Sequence, residues 1–301
     1  MKSSPLPEFC SHFAILFEGE LFSIGDWRCR GVDTPAGREE WSGEDRIVVT
    51  RRGAWELDSE GVARRADPVT VTLWNRGAYR VRHPVRGGDQ CTAFRLTRAG
   101  TAALRALAPA RGRRGPRRTF TAPCRPLDGR SYLAHRRALA SAGDALAAEE
   151  AGLAFLRRVA ADVLRERPIA PPANRYADRA RDLIASEFRS PLSVAGIARA
   201  VHCSPFHLGR LFRRATGMTL HRAVVRLRLR DGLERLLDEP GGVAAVALDV
   251  GFASHSHFTD AFRSEFGCPP SAARRELLAR RLGGGIGEPY LQPWSAASPP
   301  G

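Results

Sequence analysis

The sequence contains one lysine, Lys2, and few methionines and tyrosines. It has no run of about 18 apolar residues, which argues against a membrane-spanning helix. The first twenty residues lack an apolar segment long enough for a secretory signal peptide. The six cysteines are scattered without a C-x-x-C pair. We therefore expect reduced thiols in a cytoplasmic protein.

The charge is strongly one-sided. The formal net charge is +15, and 46 of the 47 basic residues are arginine. This balance predicts a polyanionic partner, nucleic acid before an acidic membrane surface. Arginine suits phosphate and base edges better than lysine, although the bias is equally explained by genomic composition. The length of 301 residues accommodates about two domains.

Residues 8–97 predict β-strands. Short runs of β-branched and aromatic residues alternate there with Gly- and Pro-containing turn signals, one of which is Arg52-Gly53. Many short strands at close spacing favour an antiparallel sandwich or a small barrel. The predicted strands are Phe13–Phe17, Leu21–Arg30, Arg46–Leu57, Val69–Trp74, Tyr79–His83 and Cys91–Leu96.

The middle of the chain predicts an exposed, arginine-rich connector at residues 98–130, followed by helices Tyr132–Ala140 and Asp144–Glu166. The second helix carries an apolar stripe that either packs on its own domain or forms a dimer surface. Pro168–Asn174 then predicts a linker. The stripe consists of Leu146, Leu153, Leu156, Ala160, Val163 and Leu164.

Residues 175–282 predict seven helices, and residues 283–301 predict a disordered tail rich in Gly, Pro and Ser. The predicted helices are Tyr176–Phe188, Ser193–Val201, Ser204–Thr216, Thr219–Leu237, Val243–Val250, Ser254–Phe266 and Ser271–Leu282.

Two of these helices repeat one local pattern. Ser204 and Ser254 can each cap a helix, and an apolar pair at i, i+4 follows on one face. A short helix with a small residue, Ala198 or Ala247, and a tight turn precede each copy. The sequence thus predicts two helix-turn-helix units. The apolar pairs are Leu208 with Phe212 and Phe258 with Phe262.

The helix between the two units has about 19 residues, which corresponds to roughly 28 Å. This length is close to the roughly 34 Å between successive major grooves on one face of DNA. A single chain can therefore place two helices in adjacent major grooves.

Several motifs resemble the AraC/XylS family of bacterial transcription regulators. The resemblance covers residues 175–278 and implies a DNA-binding domain of seven helices with two helix-turn-helix units. The strand-rich region is similar in pattern to the cupin-like sensor domain of many members. The motifs are Leu192–Ala198, Ser204–Phe212, Thr216-Gly217, Arg226–Arg228, Val250–Phe252, His257-Phe258, Phe262 and Phe266–Pro269.

The resemblance implies an α+β multidomain protein. A cupin-like β-barrel sensor domain is expected at residues 1–125, and a helical connector with a dimerisation segment and linker at 126–174. The DNA-binding domain is expected at 175–282. The implied partners are double-stranded DNA, a small-molecule effector, RNA polymerase and a second copy of the chain, in a transcription activator that does not bind membranes.

The resemblance implies DNA-contacting residues in both helix-turn-helix units. Arg210 can fork onto guanine, and Phe206 can pack on a thymine methyl group. Asp260 stands where many members have a basic or amide residue; it can accept from cytosine, repel phosphate or form an ion pair on the helix surface. The base-facing candidates are Phe206, Gly209, Arg210, His255, Ser256, Thr259 and Asp260, and the phosphate-contacting candidates are Arg213, Arg214 and Arg263.

The predicted sensor is expected to hold a small organic molecule. Its candidate contacts are polar or aromatic residues of the strand region, each of which can equally be a core or surface residue. They are Trp27, Arg28, Trp55, Trp74, Tyr79, Arg80 and His83.

The sequence predicts no enzyme activity, no metal and no cofactor. The H-x-H…E…H ligand pattern of metal-binding cupins is absent, and His255 and His257 point to different helix faces. Cys29, Cys91 and His83 either converge in the barrel as a redox or soft-metal sensor or are simply packed there. A small-barrel metal-dependent enzyme and a sequence-blind architectural DNA-binding protein remain the alternatives.

Overall fold

The computed structural model describes residues 10–29, 37–59, 61–83, 88–107, 118–120, 122–163, 174–238 and 241–283. The strands all lie before residue 127, and a set of seven helices begins at residue 175. This order agrees with the predicted α+β organisation. Within these ranges, every helix is too short or too polar to cross a membrane.

The strands form two antiparallel sheets. They are β1 (Cys10–Glu18), β2 (Phe22–Cys29), β3 (Arg38–Ser42), β4 (Asp45–Arg52), β5 (Trp55–Ser59), β6 (Val62–Ala66), β7 (Thr70–Trp74), β8 (Gly77–Arg82), β9 (Asp89–Leu96) and β10 (Cys124–Pro126). The larger sheet has the order β1-β2-β9-β4-β7-β10 and the smaller one β3-β8-β5-β6. No ladder among the described residues joins them, so the sheets do not close into a barrel. The arrangement is a two-sheet sandwich, one of the two forms that the strand pattern favours, and the predicted cupin-like β-barrel is not confirmed.

The larger sheet is covered on both faces. Successive side chains of a strand point to opposite faces. Val48 and Ala93 lie on the face that packs against the smaller sheet. Ile47 and Phe94 lie on the other face, which packs against helices. Strand β9 is therefore buried on both sides, which explains its nearly unbroken run of buried residues.

The predicted strand Arg46–Leu57 is divided between the two sheets. Gly53 has a φ of 72°, and a Cβ at this position would lie 2.0 Å from the carbonyl oxygen of Gly88. The chain turns here, leaving β4 in the larger sheet and starting β5 in the smaller one. The Arg52-Gly53 turn signal within this run is confirmed, whereas the run itself does not show which sheet each half joins.

Within the described residues of 98–130, the prediction of an exposed connector is wrong. Helix α1 (Arg98–Ala106) begins there with Thr97 as its cap, and β10 pairs with β7. Phe120 is buried in the core. Strands β3 and β6 were not predicted, because their charged residues break the alternation of apolar and polar side chains. Most of the arginine cluster lies outside the described residues.

Helices α2 (Gly129–Ala140) and α3 (Ala145–Val163) cover the larger sheet. Leu156 and Ala160 are buried in this layer, as the stripe predicts. Leu146 is 78% exposed, so the stripe does not extend to the start of α3. The side chain of Val163 and all of Leu164 lie outside the described residues.

The C-terminal region contains the seven predicted helices, each within a few residues of its expected bounds. They are α4 (Arg175–Glu187), α5 (Val194–Ala200), α6 (Pro205–Thr216), α7 (Leu220–Asp238), α8 (Val243–Asp249), α9 (His255–Phe266) and α10 (Pro270–Gly283). Of the predicted linker, only Asn174 is described; it caps α4. The predicted tail beyond Gly283 lies outside the described residues.

Helix α7 belongs to two hydrophobic cores. Its first half, including Leu220 and Leu227, packs with α4, α5 and α6. Its second half, including Leu233 and Leu236, packs with α8, α9 and α10. The second core continues into α2 and the larger sheet. The second helix-turn-helix unit is therefore fused to the N-terminal region through shared apolar packing.

Candidate nucleic-acid interface

Helix α6 is held by caps at both ends and by one apolar face. The Ser204 hydroxyl accepts a 3.3 Å hydrogen bond from the backbone N–H of His207, and Pro205 occupies the first helical position. Gly217 ends the helix with a φ of 74°. Leu208 and Phe212 are fully buried. The opposite face is consequently left to solvent.

That solvent face carries the predicted contacts of the first unit. Phe206 is 86% exposed, and Arg210 is exposed with its guanidinium 3.3 Å from Nδ1 of His207. A Cβ on Gly209 would meet no atom within 4 Å, so nothing packs against the helix surface at this position. Arg213 and Arg214 are exposed in the last turn.

Helix α9 is capped at both ends and buried on one apolar face in the same way as α6. The Ser254 hydroxyl accepts a 3.2 Å hydrogen bond from His257 N–H, and Gly267 ends the helix with a φ of 84°. Phe258 and Phe262 are buried. The predicted contacts His255, Ser256, Asp260 and Arg263 are exposed, whereas Thr259 is half-buried with its hydroxyl 3.4 Å from Nε2 of His255.

Both units use the same turn between their two helices. Gly251 has a φ of 90°, and Phe252 N–H donates to the Ala247 carbonyl at 3.0 Å. At the matching positions, His202 has a φ of 56°, and Cys203 N–H donates to the Ala198 carbonyl at 2.9 Å. Left-handed backbone is expected at Gly251 but is costly at a histidine. The sequence reveals it at His202 only once the two units are superposed.

The two exposed faces differ in charge. Helix α6 presents Arg210, Arg213 and Arg214, whereas α9 presents Arg263 and Asp260. We find no ion-pair partner for Asp260 in the part of the chain that the structure describes. Its side chain is exposed in the middle of α9.

Arg228 on α7 ties the two units together. Its guanidinium donates to the carbonyl oxygens of Phe188 at 2.6 Å, Ser190 at 2.8 Å and Gly251 at 2.7 Å. Phe188 and Ser190 follow α4 of the first unit, whereas Gly251 forms the turn of the second. One side chain thus links the segment after α4 to the turn that precedes α9. Its only signal in the sequence is a motif arginine within an apolar helix.

A buried polar cluster joins the second unit to the N-terminal region. The Tyr132 hydroxyl donates a 2.9 Å hydrogen bond to Glu234, and the Arg136 guanidinium forms an ion pair with the same carboxylate at 3.0 Å. The guanidinium of Arg230 lies 4.5 Å from the Tyr132 ring centre and donates to the Leu127 carbonyl. These partners are about 100 residues apart in the chain, so periodicity does not reveal them.

Burial and charge set the protonation of this cluster. Burial alone would raise the pKa of Glu234, but the charges of Arg136 and Arg51 outweigh it and lower the pKa. Burial, followed by the Glu234 charge, raises the pKa of Tyr132. Burial, followed by the charge of Arg136, lowers the pKa of His135 well below its usual value. Tyr132 is thus a neutral donor to an ionised carboxylate, with a neutral imidazole beside them.

Two further contacts hold the arrangement. Arg137 forms a two-pronged pair with Glu276 on α10 at 2.8 and 2.9 Å. Arg181 on α4 forms a pair with Asp67 of the smaller sheet's edge at 2.7 Å. Both helix-turn-helix units are therefore anchored to the N-terminal region, while the predicted DNA-facing side chains stay accessible.

The predicted effector contacts do not gather around one open cavity. Trp74 packs between Trp55 and Tyr79, with ring centres 5.9 and 4.6 Å away, and fills the space between the sheets. Trp27 stacks on Phe13. Arg80 lies on the outer face and pairs with Glu39 at 3.1 Å. Arg28 is half-buried and His83 is buried.

Comparison with known proteins identifies a helix-turn-helix domain in the helical region. A family model described as "Helix-turn-helix domain" matches residues 197–276. The HTH-type transcriptional regulator GlxA of Rhizobium meliloti is 31% identical over 144 residues, covering 44% of this chain and 44% of that protein. The RCS-specific HTH-type transcriptional activator RclR of Escherichia coli is 34% identical over 85 residues, covering 28% and 30%. The chain spans less than half the length of these relatives.

Solved structures give similar matches. The C-terminal domain of AraT, a response regulator from Geobacillus stearothermophilus, is 26% identical, with a TM-score of 0.32; the match covers 37% of this chain and 87% of that one. An AraC-type transcriptional regulator from Chromobacterium violaceum is 27% identical, with a TM-score of 0.33, and the match covers 34% and 91%. Residues 197–276 form a helix-turn-helix domain, and through it the chain is similar to transcription regulators of the AraC/XylS family.

Proposed function

We propose that this protein is a sequence-specific DNA-binding regulator that places α6 and α9 in two adjacent major grooves. The observation that carries the proposal is the pairing of two capped helices, each buried on its apolar face and exposed on its polar one. Arg228 connects them, bonding to both units. Two rigidly spaced reading helices suit a duplex whose grooves recur at a fixed distance.

The exposed residues divide by role. Arg210 reads guanine, and Phe206 contacts a thymine methyl group. Gly209 has no side chain that could contact a base, so the base pair facing it is not read directly. The second unit presents His255, Ser256, Thr259 and Asp260 to the bases. Arg213, Arg214 and Arg263 bind phosphate, which fixes the register on DNA without reading sequence.

The two units contribute unequally in this proposal. Asp260 repels backbone phosphate, so the first unit supplies more of the affinity and the second refines specificity. Asp260→Asn keeps the shape and removes the charge. It is expected to strengthen binding to all sequences, with the gain shrinking as salt rises.

The N-terminal sandwich is proposed to act as the sensor of a small molecule, in the manner of cupin-like domains. Its signal reaches the reading helices through the cluster of Tyr132, Arg136 and Glu234. An effector acts only by binding one arrangement of sandwich and helices better than another. Dimerisation through α3 is supported by its exposed Leu146; transcriptional activation and contact with RNA polymerase belong to the same proposal.

Binding by the full chain separates this function from its alternatives. A footprint over about two helical turns upstream of the protein's own gene or its neighbours is expected. Arg210→Ala should lose about 1–3 kcal/mol of binding free energy on that site and little on random DNA. Arg213→Ala should weaken binding to both DNAs and reduce the slope of log affinity against log salt concentration by about one. Arg98→Ala, an exposed arginine on α1, is the matched control and should change neither.

Two results would contradict the proposal. Equal losses for Arg210→Ala and Arg213→Ala on both DNAs would remove the assigned roles. Uniform protection without a discrete footprint would favour a sequence-blind architectural protein.

A further inference from the structure

Three side chains with metal-binding atoms meet between the sheets of the sandwich. The donor atoms of Cys29, His83 and Asp89 all lie within 4.8 Å of one another. All three side chains are buried. The sequence predicts a group of Cys29, His83 and Cys91, whereas Asp89 joins it only in the folded structure.

Strand register brings the group together. Cys29 ends β2 directly opposite Asp89 at the start of β9. Directly opposed residues share one face of a sheet, and so do residues two apart, which adds Cys91 to this face. Cys91 packs in the core between the sheets. His83 follows β8 of the smaller sheet and reaches the group from the opposite side.

Asp89 is the centre of the group. Its Oδ2 lies 2.7 Å from Nδ1 of His83, and its Oδ1 accepts a 3.2 Å hydrogen bond from the Cys91 thiol. Its backbone is also confined, because a Cβ on Gly53 would lie 2.8 Å from the Asp89 Cα. The position of the Asp89 carboxylate is thus restricted by its confined backbone and by the contacts of both carboxylate oxygens.

We propose that Cys29, His83 and Asp89 bind a zinc-class divalent cation, and that Cys91 positions the Asp89 carboxylate. Tetrahedral zinc with bonds of roughly 2.0–2.3 Å requires ligand atoms about 3.3–3.8 Å apart. To reach that geometry, the 2.7 Å contact between His83 and Asp89 must open so that both side chains turn donor atoms to the cation. One thiolate, one imidazole and one carboxylate favour zinc over magnesium or calcium, which require six or more oxygen ligands.

Binding exchanges protons for the metal. The Cys29 thiol loses its proton to solvent as the sulfur–metal bond forms, and the histidine coordinates as neutral imidazole. Outer hydrogen bonds to a ligating carboxylate orient it and tune metal affinity, which is the role assigned to Cys91.

Cobalt(II) is the probe, since its thiolate complexes absorb by charge transfer. The untagged full chain, kept reduced without added thiols, is titrated with cobalt and then with zinc. We expect one cobalt per chain, a thiolate band and loss of that band when zinc displaces the cobalt. Failure to bind cobalt, or binding without a thiolate band, would overturn the site.

Variants assign the ligands. Cys29→Ser should remove the band, whereas Cys91→Ser should keep it with an affinity about 10–100-fold weaker. Cys268→Ser, a half-buried thiol that packs against the second hydrophobic core rather than between the sheets, should match wild type. A band that persists in Cys29→Ser would overturn the ligand assignment, and unchanged affinity in Cys91→Ser would overturn its positioning role.

A wild-type measurement covers the case in which a variant fails to fold. A cation that binds the folded chain raises Tm with its concentration. Zinc should raise the Tm of the full chain, and magnesium at the same concentration should not. Equal responses to both cations, or none to zinc, would count against the proposal.

Discussion

The hydroxyl of Tyr132 donates a 2.9 Å hydrogen bond to the carboxylate of Glu234, and both side chains are almost completely buried. Tyr132 lies on the helix that covers the sandwich, and Glu234 lies on the helix that joins the two helix-turn-helix units. A buried hydrogen bond to a charged acceptor is sensitive to small displacements. This contact makes the stability of one region depend on the placement of the other.

Removing that hydroxyl is expected to loosen the junction. Tyr132→Phe should lower the free energy of unfolding by about 1.5–3 kcal/mol, because a charged acceptor loses its donor in a buried site. Tyr79→Phe is the matched control inside the sandwich, where the hydroxyl donates to the Asn75 carbonyl at 2.6 Å. Its loss should be about 0.5–1.5 kcal/mol. Urea unfolding measures both; equal losses would argue against a special role for the junction.

The close approach of α2 to α9 provides a second test. A Cβ on Gly129 would lie 2.5 Å from the carbonyl oxygen of Glu265, so Gly129→Ala must push the two helices apart. We expect a loss of about 1–3 kcal/mol from overpacking. Gly209→Ala meets open space within α6 and should gain up to about 1 kcal/mol from helix propensity. Opposite signs in urea unfolding support the contact; a stabilised Gly129→Ala would refute it.

His202 is expected to carry backbone strain. Its φ of 56° is in the left-handed region that its counterpart Gly251 adopts without penalty. His202→Gly should therefore raise the free energy of unfolding, by at most about 1 kcal/mol, since relief of strain exceeds the entropy lost. Gly251→Ala should destabilise, because its Cβ would lie 2.5 Å from the Arg189 carbonyl oxygen. A less stable His202→Gly variant would show that the turn does not strain this residue.

The stability of the protein is expected to fall as pH drops below about 6.5. The pKa of buried His135 is lowered from 6.5, so between its folded value and 6.5 the unfolded chain binds a proton that the folded chain does not. The loss is up to about 1.4 kcal/mol per pH unit. The lowered pKa of Glu234 and of Glu276 adds a loss only below 4.5. Burial raises the pKa of Glu40 above 4.5, which opposes the loss rather than adding to it, so the fall in stability between pH 5 and 6.5 is assigned to His135.

His135→Leu provides the control for that pH dependence. Leucine keeps an apolar side chain among Phe94, Tyr132 and Phe155 and removes the titrating ring. Urea unfolding from pH 5 to 7 should then give a flatter stability profile than the wild type. A variant with an unchanged slope would exclude His135 as its source.

Local chemistry accounts for what the sequence predicted well. A serine cap, an apolar pair at i, i+4 and a closing glycine act within one or two turns, so they predicted α6 and α9 nearly to the residue. The same reasoning predicted which side chains of those helices are buried and which are exposed. None of it depends on distant parts of the chain.

Long-range packing decided the rest. The division of Arg46–Leu57 depends on which sheet receives each half, and the burial of Glu234 depends on a helix 100 residues earlier. Asp89 joins Cys29 only through the register of β2 and β9. The sequence alone thus determined helices α6 and α9 and their exposed faces, because the interactions that form them are local. The tertiary structure decided how they are anchored and which buried side chains meet, because those contacts form only after distant segments pack together.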